Sequence, residues 1–109
     1  MNLSISGFDW DKGNRGKCQK HGVPIAEIEW LFGHDPRVAP DPKHSSAEDR
    51  LIAIGRTSTG RPLFVAFTIR EKDGTHLIRP VTARYMHAKE TAAYEKADSE
   101  DEGSAPEDG

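Results

Sequence analysis

Arg56, Arg70 and Arg84 each stand at the end of a stretch whose composition predicts a β-strand. Arg79 lies inside the last of these stretches, and Lys20-His21 closes one that reads as a helix. An arginine fork takes a phosphate through two parallel hydrogen bonds, and a lysine adds a point charge. A histidine exchanges protons near neutral pH. Phosphate binding combined with a proton donor or acceptor is what cleavage of an RNA backbone by its own ribose 2′-hydroxyl requires. That route needs no metal, provided the developing charge is stabilised. Spacing alone does not bring these residues to one place. Strand-end arginines are more often solvated or paired with Asp and Glu, and His21 beside Gly22 suits the cap of a helix C-terminus. Composition and spacing by themselves support a small domain able to bind an anion.

Other chemistries find less support. The five histidines, at positions 21, 34, 44, 76 and 87, form no His-x-x-x-His pair, and there is no Cys-x-x-Cys. Zinc needs three or four ligands converging at set spacing, so no metal and no cofactor is expected. Gly55-Arg56-Thr57-Ser58-Thr59-Gly60 lacks the Gly-Lys-Ser/Thr ending of a phosphate-cradling loop. Cys18 is the single cysteine, which excludes an internal disulfide and fits a reducing compartment. It reads as a small, partly buried thiol rather than a nucleophile. Trp10 and Trp30 read as core or interface anchors rather than base-stacking platforms.

The elements that must position the basic set are legible in outline. Phe8-Asp9-Trp10-Asp11 suits a brief strand, and Asp11 can cap a helix over residues 12–21 that ends before Gly22. Pro24 opens a second helix, with Ile25, Ile28, Leu31 and Phe32 as its apolar stripe and Gly33 as its end. Pro36, Pro40 and Pro42 argue against regular structure in the next segment, apart from a short extended piece around Val38 at a sheet edge. Residues 50–56, 63–70 and 75–83 read as three strands joined by turns at residues 57–61 and 71–74, and connections this short make antiparallel neighbours. Leu63, Val65, Phe67 and Ile69 share one face, on which the two helices would complete the core. Pro80 requires an edge or a bulge. Residues 85–96 read as a last helix. The expected fold is α+β: a small antiparallel sheet with two N-terminal helices packed on it and a C-terminal helix.

The 109 residues point to one domain. Its net charge of -3 is uneven, because residues 98–109 carry six acids and no lysine or arginine. Without that stretch the chain is net basic, so the overall acidity does not argue against a nucleic-acid partner. Residues 1–97 are read as the domain and 98–109 as an acidic disordered tail. No run approaches the roughly 20 apolar residues that span a bilayer, and the first residues lack a secretory layout. A cytoplasmic protein without membrane contact is the expectation.

Several segments together resemble the BrnT toxin family of type II toxin–antitoxin systems. They are Phe8-Asp9-Trp10-Asp11, Lys20-His21-Gly22-Val23, Asp41-Pro42-Lys43-His44-Ser45, Glu48-Asp49-Arg50 with Ile52-Ala53-Ile54-Gly55-Arg56, Gly60-Arg61, and Ile78-Arg79-Pro80-Val81-Thr82-Ala83-Arg84 leading to Tyr94-Glu95. Their order and spacing carry the likeness. The chain departs from the family's pattern at Cys18, where asparagine is common, and at Pro80 and Thr82. The resemblance implies a RelE-like ribonuclease fold and growth arrest through RNA cleavage. It also implies a BrnA-like ribbon-helix-helix antitoxin, with operator DNA bound only through that partner. It places Lys20, His21, Arg56, Arg79 and Arg84 on motif positions. His21 would transfer a proton, and Lys20, Arg56 and Arg84 would hold phosphate in the transition state. Arg79 would bind RNA, and Arg70, which rests on its strand-end position and not on the resemblance, is expected to do the same. The competing expectation is a binding module that has lost catalysis and serves as antitoxin partner or co-repressor.

Overall fold

The computed structural model describes residues 5–41 and 50–94. In chain order the elements are β1 (Ile5–Phe8), α1 (Lys12–Gln19), α2 (Ile25–Phe32), β2 (Arg37–Pro40), β3 (Leu51–Arg56), β4 (Pro62–Lys72) and β5 (Thr75–Tyr85). A helix, α3, follows at residues 88–94. The motif pieces within residues 42–49, the expected helix end at Lys96 and the expected acidic tail lie outside the described residues.

The five strands form one sheet in the order β1-β5-β4-β3-β2. The pairs β2–β3, β3–β4 and β4–β5 are antiparallel, whereas β1 runs parallel to β5, with Phe8 opposite Ile78. The expectation of an antiparallel sheet is thereby corrected to a mixed one. A turn of a few residues forces its two strands to run in opposite directions. β1 is under no such constraint, because two helices separate it from the rest of the sheet. The β4–β5 turn needs only Asp73 and Gly74, at φ 52° and 78°, the left-handed pair that matches strand twist.

α1 is set by local chemistry. The Asn14 amide donates to Asp11 Oδ1 at 2.9 Å, and the Asp11 amide donates to Asn14 Oδ1 at 2.7 Å. Together these make a reciprocal N-terminal cap. Asn14 Nδ2 also donates to the carbonyls of Asp9 and Pro80, at 2.9 and 2.8 Å. The start of the helix is thus fastened to the middle of β5. Pro80 sits at a register shift, where Ala66 pairs with Thr82 and Phe67 with Pro80, so the bulge accommodates the missing donor. The helix stops at Gln19, and Gly22 turns the chain at φ 82°.

Two sequence boundaries are corrected. The first strand is Ile5–Phe8 rather than Phe8 to Asp11, because Asp9 and Asp11 serve the helix start and Arg79. β5 continues through Tyr85, and the Met86 amide donates to the Pro62 carbonyl at 3.0 Å, so the last helix starts later than residue 85.

Alternation divides the sheet into two faces. Leu63, Val65, Phe67, Ala53, Ile78 and Ala83 form a core with Cys18 of α1, Val23 of the connection, and Ile28 and Leu31 of α2. Gly55 leaves room for Leu31, whose Cδ1 would be 2.6 Å from a Cβ at that position. On the other face α3 packs near β2 and β3. Arg37 Nη1 approaches the Tyr94 carbonyl at 3.4 Å, and Met86 and Thr91 are buried.

Candidate nucleic-acid interface

The first turn of α2 is tied to the β3–β4 turn. Glu27 accepts from the Ser58 amide at 2.8 Å and from its hydroxyl at 2.6 Å, and these bonds hold the Glu27 carboxyl below its ordinary pKa. That clasp puts the α1–α2 connection and the β3–β4 turn at the same end of the molecule. Lys20 and His21 lie exposed at the close of α1, two residues before the buried Val23. Arg56 ends β3, and its Nη1 donates to the Gly60 carbonyl at 2.9 Å across the turn. Lys20 and His21 thus share this end of the sheet with Arg56, which strand alternation sets with Ile54 on the α3 side, beside Pro62, Met86 and Thr91.

Arg84 reaches the same end and, like Arg56, lies on the face away from α1 and α2. It pairs in register with Phe64, and its guanidinium lies 4.5 Å from that ring's centroid. Both of its terminal nitrogens contact Glu90 of α3, at 2.8 and 2.7 Å. The bidentate pair holds the Glu90 carboxyl below its ordinary value and raises the Arg84 guanidinium, the mutual hydrogen bonds being the largest cause of each shift.

Arg79 and Arg70 are not brought to this end. Arg79 pairs with Thr68, midway along the sheet, and its guanidinium contacts Asp11 Oδ2 at 2.8 Å and Asp9 Oδ2 at 3.5 Å. Asp11 is held below its ordinary value first by the Asn14 amide and then by Arg79. Arg79 thereby fastens β5 to the start of α1. Arg70 pairs with Leu77 close to the far turn. It lies six positions along the strand from Phe64, roughly 20 Å at the usual rise.

Two groups at the populated end escaped the sequence reading. Arg61 stacks on Tyr85, its guanidinium carbon 3.5 Å from the ring centroid. The signal available in the sequence was Gly60-Arg61, but its partner ring is identified only by the register that sets Leu63 opposite Tyr85. Elsewhere, Trp30 is the exposed large apolar residue among the described residues and stacks on His34 at 3.6 Å. Trp10 donates to Glu29 Oε2 at 3.0 Å. Cys18 is fully buried, and burial pushes its thiol up to about 11, which leaves it protonated and poorly nucleophilic. Among the described residues no group of three or more His, Cys, Asp or Glu side chains is arranged to hold a metal, and no helix is long and apolar enough to cross a membrane.

The Lys-His connection, the strand-end arginines and the α+β order all lie within residues matched by one family. The model of the family described as the ribonuclease toxin, BrnT, of type II toxin–antitoxin systems matches residues 10–90. No curated protein matches the chain significantly. The match spans α1, α2, β2 to β5 and the candidate site, well over half of the sequence, and the chain therefore belongs to the BrnT family of ribonuclease toxins.

Proposed function

We propose that this protein is a metal-independent endoribonuclease that arrests growth and is neutralised by a BrnA-like ribbon-helix-helix antitoxin. Membership of the family implies an RNA substrate and an antitoxin partner. The fold is read as RelE-like, with operator DNA engaged only through the antitoxin. The observation that carries the site is the Glu27–Ser58 clasp, by which the Lys20-His21 connection and the turn after Arg56 share one end of the sheet.

In the proposed reaction the ribose O2′ attacks the adjoining phosphorus and the P–O5′ bond breaks. The products are a 2′,3′-cyclic phosphate and a 5′-hydroxyl. The proton leaving O2′ and the proton arriving at O5′ both require a donor–acceptor group, the role given to His21. Lys20 and Arg56 stabilise the charge gathering on the phosphoryl oxygens. Arg84 joins them only when Glu90 releases it.

Induced expression in a bacterium lacking the antitoxin is expected to stop growth and fragment RNA. His21→Ala and Arg56→Ala should each relieve toxicity with an unchanged far-UV spectrum and melting curve. Soluble wild-type protein that leaves growth and RNA intact would remove the ribonuclease reading. Equal toxicity in both variants would remove the site. The Arg84–Glu90 pair favours a second reading, a partner of the antitoxin without catalysis. Tight antitoxin binding by purified protein that never cleaves RNA would support it.

A further inference from the structure

Several arginines of this protein are matched to carboxylates. Arg79 meets Asp9 and Asp11, Arg50 lies 3.7 Å from Asp41, and Arg84 is clasped by Glu90. Arg61 is different. Among the described residues it makes no ion pair, and what holds it is the face of Tyr85 at 3.5 Å. The ring itself is half-buried against the core, so an exposed cation rests on a fixed platform. Stacking uses the flat face of a guanidinium and leaves the N–H donors around its edge available to a planar or tetrahedral anion. The side-chain entropy of an arginine is then partly spent before any ligand arrives.

Its position is as informative as its chemistry. Leu63 pairs with Tyr85 and lies in the helix-side core. Arg61 stands two residues before Leu63 and covers the ring from that same side. The α1–α2 connection descends on this side too, since Val23 is in the core two residues after His21. Arg84 points to the other face, toward Phe64 and Glu90. On the helix side of the sheet end, Arg61 rather than Arg84 therefore accompanies Lys20 and His21.

We infer that Arg61, held by stacking on Tyr85, binds a phosphate of single-stranded RNA next to the scissile linkage, and that Tyr85 is the residue that positions it. The inference rests on the ribonuclease reading and deepens it. It adds a phosphate contact on the helix-side rim of the same sheet end whose other face carries Arg56.

The test uses the full chain and a fluorescent 2′-O-methyl oligoribonucleotide of mixed sequence, which reports binding without turnover, across a salt series. Each phosphate contact on a single strand contributes about 0.7 to the slope of log affinity against log salt. Arg61→Ala should weaken binding roughly tenfold and flatten the slope by about that amount. Arg61→Lys should restore the slope but only part of the affinity, because the charge returns without the fork. Tyr85→Leu should weaken binding with the slope retained, since it removes the platform and not the charge. With an unmodified single-stranded RNA of the same sequence, Arg61→Ala should raise KM while kcat stays within about twofold of wild type, as loss of uniform binding requires. Wild-type affinity and slope in Arg61→Ala, with the wild type binding RNA, would overturn the assignment and leave the ribonuclease reading standing. A wild type that binds no RNA would overturn both.

Discussion

Burial decides what Cys18 can do. With no exposure to solvent and a thiol pushed up to about 11, it carries almost no thiolate at neutral pH. Native protein is expected to resist a thiol-reactive dye until denaturant is added, and Cys18→Ala should keep its RNA cleavage while losing about 1 kcal/mol of stability in a urea titration. Rapid labelling of folded protein would contradict the burial. The packing side of this residue was legible in the sequence, as were the Asp11 cap and the turn at Gly22, because each depends on neighbours a few positions away. The candidate cations were legible as types. Their partners were not: Asn14 meets Pro80 across 66 positions, and Asp9 and Asp11 meet Arg79 across a similar gap. Arg61 stayed hidden for the same reason, since only the paired strands reveal Tyr85 beneath it.

Contacts between elements set the next group of expectations. The strands bounded by short turns were readable from their Val, Ile and Phe runs, and the apolar stripe of α2 was readable from its spacing. The meeting of β3 with α2 is a tertiary matter that turns on Gly55. A Cβ there would press on Leu31 Cδ1 at 2.6 Å, and Leu31 is itself buried in the core. Gly55→Ala should therefore cost about 1–3 kcal/mol by overpacking, seen as a lowered urea midpoint. An unchanged midpoint would mean that α2 shifts freely on the sheet. The Arg84–Glu90 pair ties β5 to α3 and gives a pH dependence of definite sign. Glu90 titrates below the ordinary glutamate value of 4.5 in the folded protein, chiefly through its hydrogen bonds from Arg84. Its contribution is thus complete above that value and is lost as pH falls through the lower folded one. Because the pair is partly exposed, the contribution should be about 0.5 kcal/mol. Glu90→Gln should be less stable than wild type by that amount near neutral pH, and the difference should vanish in acid. A difference that persists in acid would assign Glu90 a packing role instead.

For the molecule as a whole, the question is where its positive charge can act. The parallel placement of β1 could not be read from the sequence, because no turn links it to β5 and its choice of edge depends on the finished sheet. That placement nevertheless determines the fate of Arg79, since it delivers Asp9 and, through the start of α1, Asp11 to one guanidinium. The far turn carries Arg70, and the opposite end carries the exposed Lys20. Three cations that look equivalent in the sequence should accordingly respond in three ways. Lys20→Ala should weaken RNA binding and flatten its salt dependence by about 0.7 in log–log slope. Arg70→Ala should leave both unchanged, because a contact roughly 20 Å along the sheet lies outside the occupied end. Arg79→Ala should lower the melting temperature, since Asp9 and Asp11 lose their shared partner, yet keep the salt slope of wild type. The three variants can be compared in one anisotropy and melting series. If Arg70→Ala flattens the slope as much as Lys20→Ala, RNA must run the length of the sheet, and binding cannot be confined to the end that Glu27 and Ser58 clasp together.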